Sequence, residues 1–139
     1  MMDGRGTVLV VDDDPDILEI VTVVLGLYEV PTVTACDGVD ALEVMRGGVD
    51  LGLVLLDLMM PRMSGVEVLA EMKRDAALAT VPVVVISGNY ATEQGVLGMG
   101  ADEYLLKPLE VNVLMRVVSR FVPVPGLGRE AGEDVRGRP

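Results

Sequence analysis

Continuous apolar runs recur along the chain. Three of them, Val8–Val11, Leu53–Leu56 and Val83–Ile86, are rich in β-branched residues and leucine and do not alternate with polar residues. Such runs are typical of parallel strands that are buried on both faces. A fourth candidate, Val30–Thr34, contains Pro31, which cannot donate a hydrogen bond to a neighbouring strand. This segment is therefore predicted to lie at the edge of a sheet.

Segments with helical periodicity separate these runs. Asp14–Pro15 offers an N-cap and a first-turn proline, and apolar residues then recur at three- and four-residue spacing until Gly26. Two further helices are predicted, one from Asp37 or Gly38 to Gly47–Gly48 and one from Ser64 to about Ala77. The alternation of strands and helices predicts an α/β fold.

Charged residues stand where apolar segments end. Asp57 is a lone carboxylate inside the apolar run 51–61, where an unpaired buried charge would cost several kcal/mol. It must therefore be neutral, metal-bound or at an exposed strand end. The acidic cluster Asp12–Asp14 follows the first strand candidate, and Lys107–Pro108 follows the apolar segment Tyr104–Leu106. Residues placed in this way form a site at the edge of a parallel sheet.

Four motifs together resemble the receiver domain of two-component response regulators, of the stand-alone chemotaxis type. They occur in the family's order and spacing between Thr7 and Phe121, and four in order are far more specific than any one alone. The motifs are Val10–Pro15, Asp57–Pro61, Val85–Gly88 and Gly100–Pro108.

The resemblance implies a flavodoxin-like, doubly wound sheet of five parallel strands in the order 2-1-3-4-5, with five helices. Residues 1–121 would form the receiver domain. Residues 122–139, of which seven in eighteen are proline or glycine, are predicted to form a flexible tail. In this fold the ligand site lies where the first and third strands diverge, and Asp12, Asp13 and Asp57 end those strands.

Composition excludes several kinds of function. A formal net charge of −11 argues against nucleic acid as a partner, because phosphates require clusters of Lys and Arg. The chain has no histidine, which excludes His-ligated metals, Ser-His-Asp triads and a phosphohistidine of its own. The single cysteine, Cys36, fits a reducing cytosol. No apolar run approaches the roughly twenty residues of a membrane span, so we expect a cytoplasmic protein without a membrane segment.

The resemblance further implies a Mg²⁺ site. Asp13 and Asp57 would bind the ion directly, the backbone carbonyl of Met59 would be a third ligand, and Asp12 would hold a metal-bound water. Mg²⁺ prefers oxygen ligands and commonly takes one or two carboxylates together with a phosphate.

Phosphoryl transfer is the chemistry that the resemblance assigns to these residues. Asp57 would attack a partner's phosphohistidine to form an aspartyl phosphate. Lys107 and the Ser87 hydroxyl would contact the phosphoryl oxygens, and the Lys107–Pro108 bond is a candidate for a cis peptide. Ser87 and Tyr104 would then form the switch, although the family more often has Thr at the Ser87 position.

The predicted output face contains the fourth helix, the Tyr104 strand and the fifth helix. Gly95 and Gly98 weaken the fourth helix, predicted within 89–100, unless they permit close packing. On the fifth helix the predicted core stripe is Val111, Leu114, Val118 and Phe121. Val113 and Val117 would either be exposed for contact with a partner or widen that stripe.

The predicted partners are a sensor histidine kinase or histidine phosphotransfer protein and a downstream protein target, with a phosphorylation-dependent dimer as a further option. The chain would catalyse only its own phosphorylation and dephosphorylation. Haloacid-dehalogenase-like enzymes place a second Asp two positions beyond the nucleophile, where this chain has Met59, which argues against an enzyme. The remaining alternatives are a phosphate-independent interaction module and a receiver fragment of a longer regulator.

Overall fold

Five strands alternate with five helices in a computed structural model that describes residues 6–88 and 93–126. The strands are β1 (Thr7–Val11), β2 (Thr32–Ala35), β3 (Leu51–Asp57), β4 (Val83–Ser87) and β5 (Glu103–Leu106). The helices are α1 (Pro15–Leu27), α2 (Gly38–Arg46), α3 (Gly65–Arg74), α4 (Glu93–Gly98) and α5 (Val111–Val118). The predicted α/β fold is confirmed.

The strands form one parallel sheet in the predicted order β2-β1-β3-β4-β5. β2 lies at an edge, as Pro31 requires, and the Pro31 carbonyl still accepts a hydrogen bond from the Val8 N–H at 2.9 Å. In the centre of the sheet Val11 pairs with Leu56, and Asp57 pairs with Ile86. The ends of β1, β3 and β4 therefore lie side by side at the carboxyl edge.

Both faces of the sheet are covered, which explains the unbroken apolar runs. Leu9 and Val11 pack with residues of α2 and α3, whereas Val8 and Val10 pack with residues of α1 and α5. Because successive strand side chains point to opposite faces, a strand between two helical layers needs apolar residues at every position.

Polar side chains begin three of the helices. The Asp14 carboxylate accepts a hydrogen bond from the Asp16 N–H at 2.9 Å and caps α1. Asp37 caps α2 in the same way through the Asp40 N–H at 2.8 Å. Ser64 and Glu67 form a capping box at α3. These caps satisfy N–H groups that have no partner within a helix.

α5 differs from its prediction. Val111 is 44% exposed rather than part of the core, and Val117, considered as a contact residue, is buried together with Leu114 and Val118. Val111 is the first residue of α5 and lies beside a surface cavity of about 460 Å³ between α1 and α5. A helix can bury this end only against another element, and none covers it among the described residues.

The packed part of the chain extends beyond the predicted boundary. Val122 is 3% exposed and Val124 is 7% exposed, and both belong to the core on the α1 and α5 face. Residues 122–126 are therefore part of the folded domain rather than of a tail, which corrects that part of the prediction. The remainder of the predicted tail, 127–139, lies outside the described residues.

Cys36, the residue after β2, is exposed, and its N–H donates to the Asp40 carboxylate at 3.2 Å. None of the described helices combines the length and the apolar character needed to cross a membrane.

Candidate functional site

Four polar residues stand at the carboxyl edge of the sheet. Asp12 directly follows β1, Asp57 and Ser87 are the last residues of β3 and β4, and Lys107 directly follows β5. The Lys107 N–H donates to the Ser87 carbonyl at 2.8 Å, which ties the end of β5 to the end of β4. Open parallel sheets bind their ligands in such a crevice, where the strand order reverses.

Three carboxylates form an acidic cluster in this crevice. Asp12, Asp13 and Asp57 each contribute one oxygen atom, and these atoms lie within 4.8 Å of one another. Asp12 and Asp57 are each 4% exposed, whereas Asp13 is exposed. The donor set of carboxylate oxygens, open to solvent on the Asp13 side, fits Mg²⁺.

Lys107 places its ammonium group against two of these carboxylates. Its Nζ lies 3.2 Å from the Asp57 Oδ1 and 3.4 Å from the Asp12 Oδ2. The Lys107–Pro108 peptide bond is cis, as predicted. The ammonium therefore occupies the same crevice as the acidic cluster, although it lies 50 residues from Asp57 in the sequence.

Burial and like charge oppose ionisation of Asp57. Burial raises the pKa of the Asp57 carboxyl, the Asp12 charge raises it further, and the Lys107 ammonium only partly offsets the two. For Lys107, burial lowers the pKa, but the Asp57 and Asp12 carboxylates together outweigh it and leave the pKa above its ordinary value. Lys107 is thus a cation beside the three acidic side chains of the cluster.

Comparison with known proteins identifies the family. The model of the response regulator receiver domain matches residues 8–119. The chain belongs to this family.

Relatives of this receiver domain include larger regulators. The DNA-binding response regulator MtrA of Mycolicibacterium smegmatis is 39% identical over 120 residues, which cover 84% of this chain and 51% of MtrA. A probable cyclic di-GMP phosphodiesterase of Vibrio cholerae is 36% identical over 110 residues, covering 78% of this chain and 24% of that protein. The chain spans about half the length of the MtrA relatives it matches.

Solved structures of receiver domains have the same fold. The receiver domain of NtrX from Brucella abortus superposes with a TM-score of 0.75 at 33% identity, covering 81% of this chain and 95% of that one. The chemotaxis protein CheY4 of Vibrio cholerae gives a TM-score of 0.77 at 24% identity, over 84% of this chain and 98% of CheY4. At that identity CheY4 supports the fold alone.

The structure also describes the three remaining residues of the predicted receiver site. Ser87 is 2% exposed and pairs with Leu106 of β5. Tyr104 in β5 lies opposite Val85 in β4 and is half-buried against the core on the α2 and α3 face. Met59 follows Asp57 by two residues, and its side chain is directed outward, with 78% exposed.

Sequence reasoning missed the residues that support the loop after Asp57. We call residues 58–64 the acceptor loop. Gly65 lies so close to it that a Cβ atom there would be 2.3 Å from the Asp57 carbonyl oxygen. Arg62, in the loop itself, has φ of +66° and forms an ion pair with Asp37. A glycine just after the Ser64 cap, where helix propensity disfavours it, was the one available signal.

Proposed function

We propose that this receiver domain accepts a phosphoryl group on Asp57 from a phosphohistidine of a partner protein and thereby changes its affinity for a target. Two-component signalling is the function of the family to which the chain belongs. The observation that carries the assignment to Asp57 is its position between the Lys107 ammonium, at 3.2 Å, and the two other acidic residues.

The transfer step needs no group from this chain beyond the site. An Asp57 carboxylate oxygen attacks the phosphorus, a new O–P bond forms, and the P–N bond to the donor imidazole breaks. Because the chain contains no histidine, the leaving imidazole belongs to the partner. The Lys107 ammonium then lies beside the new phosphoryl oxygens and stabilises their charge.

Asp12, Asp13, Asp57 and the Met59 carbonyl are the proposed ligand shell for Mg²⁺, with Asp12 acting through water. When bound, Mg²⁺ supplies positive charge that neutralises phosphoryl oxygens. The raised pKa of Asp57 supports a cation here, because a positive charge favours the ionised, nucleophilic carboxylate.

Ser87 and Tyr104 are the proposed switch. Ser87 ends β4 beside the end of β3, so its hydroxyl needs to cross only one strand spacing to reach a phosphoryl group on Asp57. Tyr104 in β5 pairs with Val85, two residues before Ser87, and is half-buried. A shift of Ser87 therefore changes the packing space next to the Tyr104 ring, and the exposed face around β5 changes with it.

The proposed partners are a sensor histidine kinase or a histidine phosphotransfer protein, and a downstream protein target in the cytoplasm. A second copy is another target option, as a phosphorylation-dependent dimer. MtrA is named as DNA-binding, but the net charge of −11 on this chain does not suit direct contact with nucleic acid. We propose that the domain turns over no metabolite and catalyses only its own phosphorylation and dephosphorylation.

Acetyl phosphate with Mg²⁺, followed by intact mass measurement, tests the proposal. The wild-type chain should gain one phosphoryl group, and Asp57→Asn should gain none. Asp14→Asn is the matched control, because Asn also caps a helix and Asp14 lies outside the acidic cluster. A full adduct on Asp57→Asn refutes the assignment. An unmodified wild-type chain instead favours a phosphate-independent interaction module.

A further inference from the structure

The acceptor loop is packed between the first residues of two helices. On one side, the Gly65 N–H donates to the Leu58 carbonyl at 2.9 Å, and a Cβ atom on Gly65 would lie 2.8 Å from the Leu58 Cα. On the other side, a Cβ atom on Gly38 would lie 2.7 Å from the Met63 carbonyl oxygen. Real Cβ contacts are not so short, so both helices approach the loop backbone as closely as only glycine permits.

Arg62 lies at the turn of this loop in a conformation that a non-glycine residue adopts only when it is held there. Its φ is +66°, in the left-handed region, which disfavours residues with a Cβ atom. Its guanidinium pairs with the Asp37 carboxylate. A non-glycine residue usually keeps such a conformation because contacts with the surrounding structure hold it there.

The Asp37 carboxylate that pairs with this guanidinium is buried, whereas the Arg62 side chain is 63% exposed. Asp37 is 6% exposed, and its other carboxylate oxygen accepts the Asp40 N–H at the start of α2. The hydrogen bond from Asp40 and the ion pair with Arg62 both lower the pKa of Asp37, so the carboxylate is ionised at neutral pH. The ion pair thus connects the acceptor loop to the capped N-terminus of α2.

We infer that Arg62 is a positioning residue for the phosphoacceptor site: by pairing with Asp37, it holds the acceptor loop so that the Met59 backbone lies next to Asp57. The inference rests on the proposed function, since it is the Met59 carbonyl that would serve the cation. The pair consists of Arg62 in the acceptor loop and Asp37, the N-cap of α2, and neither belongs to the acidic cluster.

Comparison of the Mg²⁺ affinities of the wild-type chain and Arg62 variants tests this positioning role. Arg62→Gly removes the guanidinium and suits the positive φ, so it tests the ion pair without adding backbone strain. Residues that orient a metal ligand typically change affinity tenfold or more when removed, and we expect roughly tenfold weaker Mg²⁺ binding. Arg62→Lys, which keeps the charge, should restore part of the loss.

The phosphorylation rate separates positioning from general damage. In Arg62→Gly, phosphorylation by acetyl phosphate should be slow at low Mg²⁺ and should return to the wild-type rate at saturating Mg²⁺. Asp37→Asn keeps the helix cap and removes the charge, so it should have the same effect. The double variant should be no worse than either single variant, because the two residues act as one pair.

A second ion pair near the ends of α2 and α3 is the control, because it does not include a residue of the acceptor loop. Arg46 is the last residue of α2, and its Nε lies 3.4 Å from a carboxylate oxygen of Asp75, the residue that follows α3. Arg46→Gln should leave Mg²⁺ affinity and phosphorylation unchanged. A loss in Arg46→Gln equal to that in Arg62→Gly would overturn the inference, because the effect would then be one of helix packing.

Hydrogen exchange without Mg²⁺ tests the loop directly. The amides of Met59, Met60 and Met63 should exchange faster in Arg62→Gly than in wild type, while the β4 amides keep their protection. Unchanged loop exchange together with unchanged Mg²⁺ affinity refutes the inference. Failure of the wild-type chain to bind Mg²⁺ or to accept a phosphoryl group refutes the proposed function instead. The two failures are distinguishable, because the proposed function is tested on the wild-type chain and the inference on Arg62→Gly.

Discussion

Three consecutive aspartates follow β1, and each has different surroundings. Asp12 is buried, accepts the Asp14 N–H at 2.9 Å and faces the Lys107 ammonium. Asp13 is exposed and belongs to the acidic cluster. Asp14 caps α1. Identical side chains at adjacent positions can therefore be tested against one another.

Asp13→Ala should abolish the increase in melting temperature that Mg²⁺ gives the wild-type chain, because a ligand that binds only the native state stabilises it by mass action. Asp14→Ala should keep the Mg²⁺ response and lose about 1 kcal/mol of unfolding free energy with the cap. Differential scanning fluorimetry with and without Mg²⁺ measures both. A wild-type response in Asp13→Ala would contradict the metal assignment.

The raised pKa of Asp57 predicts how stability without metal depends on pH. The folded chain binds this proton more tightly than the unfolded chain, so ionised Asp57 lowers the free energy of unfolding at neutral pH. The loss disappears as the pH falls below the unfolded carboxyl pKa of about 3.9. Asp57→Asn should therefore unfold at higher urea than wild type at pH 7 in EDTA, and this advantage should vanish near pH 3.

The pKa of Asp37 is shifted in the opposite direction, so the same urea experiment should give the opposite result for this residue. Its pKa is lowered by the Asp40 N–H and Arg62, so its ionised form stabilises the fold above the unfolded pKa, and that stability is lost as the pH falls through the folded pKa. Asp37→Asn should unfold at lower urea than wild type at pH 7 and approach it in acid. Equal urea midpoints for all three chains at pH 7 would contradict both pKa directions.

At this scale the sequence predicts residues that stand at strand ends. Asp12, Asp57 and Lys107 could be found because each interrupts or follows an apolar run. Gly65 and Arg62 could not, since their importance comes from contacts with residues that are distant in the sequence or from a backbone angle. Polar residues at strand ends can be recognised from the sequence, whereas the residues that support them can be recognised only from the structure.

Among the elements, α4 shows the clearest mismatch between sequence and secondary structure. It has six residues, Glu93–Gly98, and residues 89–92 of its predicted range lie outside the described part. Among the described residues, no atom outside the helix's own neighbouring backbone lies within 4 Å of a Cβ placed on Gly95 or Gly98, so neither glycine permits close packing there, contrary to that alternative. The glycines weaken the helix without a packing benefit.

Gly95→Ala should therefore stabilise α4. The added methyl group enters open space, so it causes no clash. Alanine also leaves the unfolded chain less backbone freedom than glycine does, which should raise the stability of the helix by up to about 1 kcal/mol. Hydrogen exchange of residues 96–100 should slow, and the urea midpoint should rise. Gly65→Ala, which places a Cβ atom 2.3 Å from a carbonyl oxygen, should destabilise the chain under the same conditions. Stabilisation by both substitutions would show that the close approach at Gly65 is not rigid.

α5 shows why helical spacing alone assigned its face incorrectly. Spacing identified Leu114 and Val118, which are buried, but it also placed Val111 in the core and left Val117 undecided. Which face of a helix is buried depends on what covers it. Here residues 122–126 return to the same core, and a spacing rule applied to α5 alone could not include them.

For the whole molecule, the length of the packed chain is the main correction to the sequence prediction. Proline and glycine in residues 122–126 suggested a flexible segment, yet Val122 and Val124 alternate with prolines and point inward. Pro123 and Pro125 are exposed, so the two prolines face solvent while the two valines pack in the core. The apolar runs located three of the strands, and Pro31 indicated an edge position for a fourth candidate. The full strand order was predicted only through the resemblance to receiver domains, because a run of apolar residues does not specify its neighbours in a sheet.

Each of these two valines should contribute to global stability. Val122→Ala and Val124→Ala should each lower the free energy of unfolding by about 1–2 kcal/mol, because each removes two buried methyl-sized groups from the core. Val111→Ala, on an exposed side chain, should change it by less than about 0.5 kcal/mol. Chemical denaturation measures all three, and equal effects would contradict the extended domain boundary.

The exposed thiol at the end of β2 has a practical consequence. Cys36 is the only cysteine, and the sequence contains no tryptophan. A maleimide dye would therefore attach at one known point, directly before Asp37, and its emission would be free of indole background. Such a labelled chain would serve as an optical sensor next to the Asp37–Arg62 ion pair, read in real time as cations or phosphodonors are added, without any substitution in the sequence.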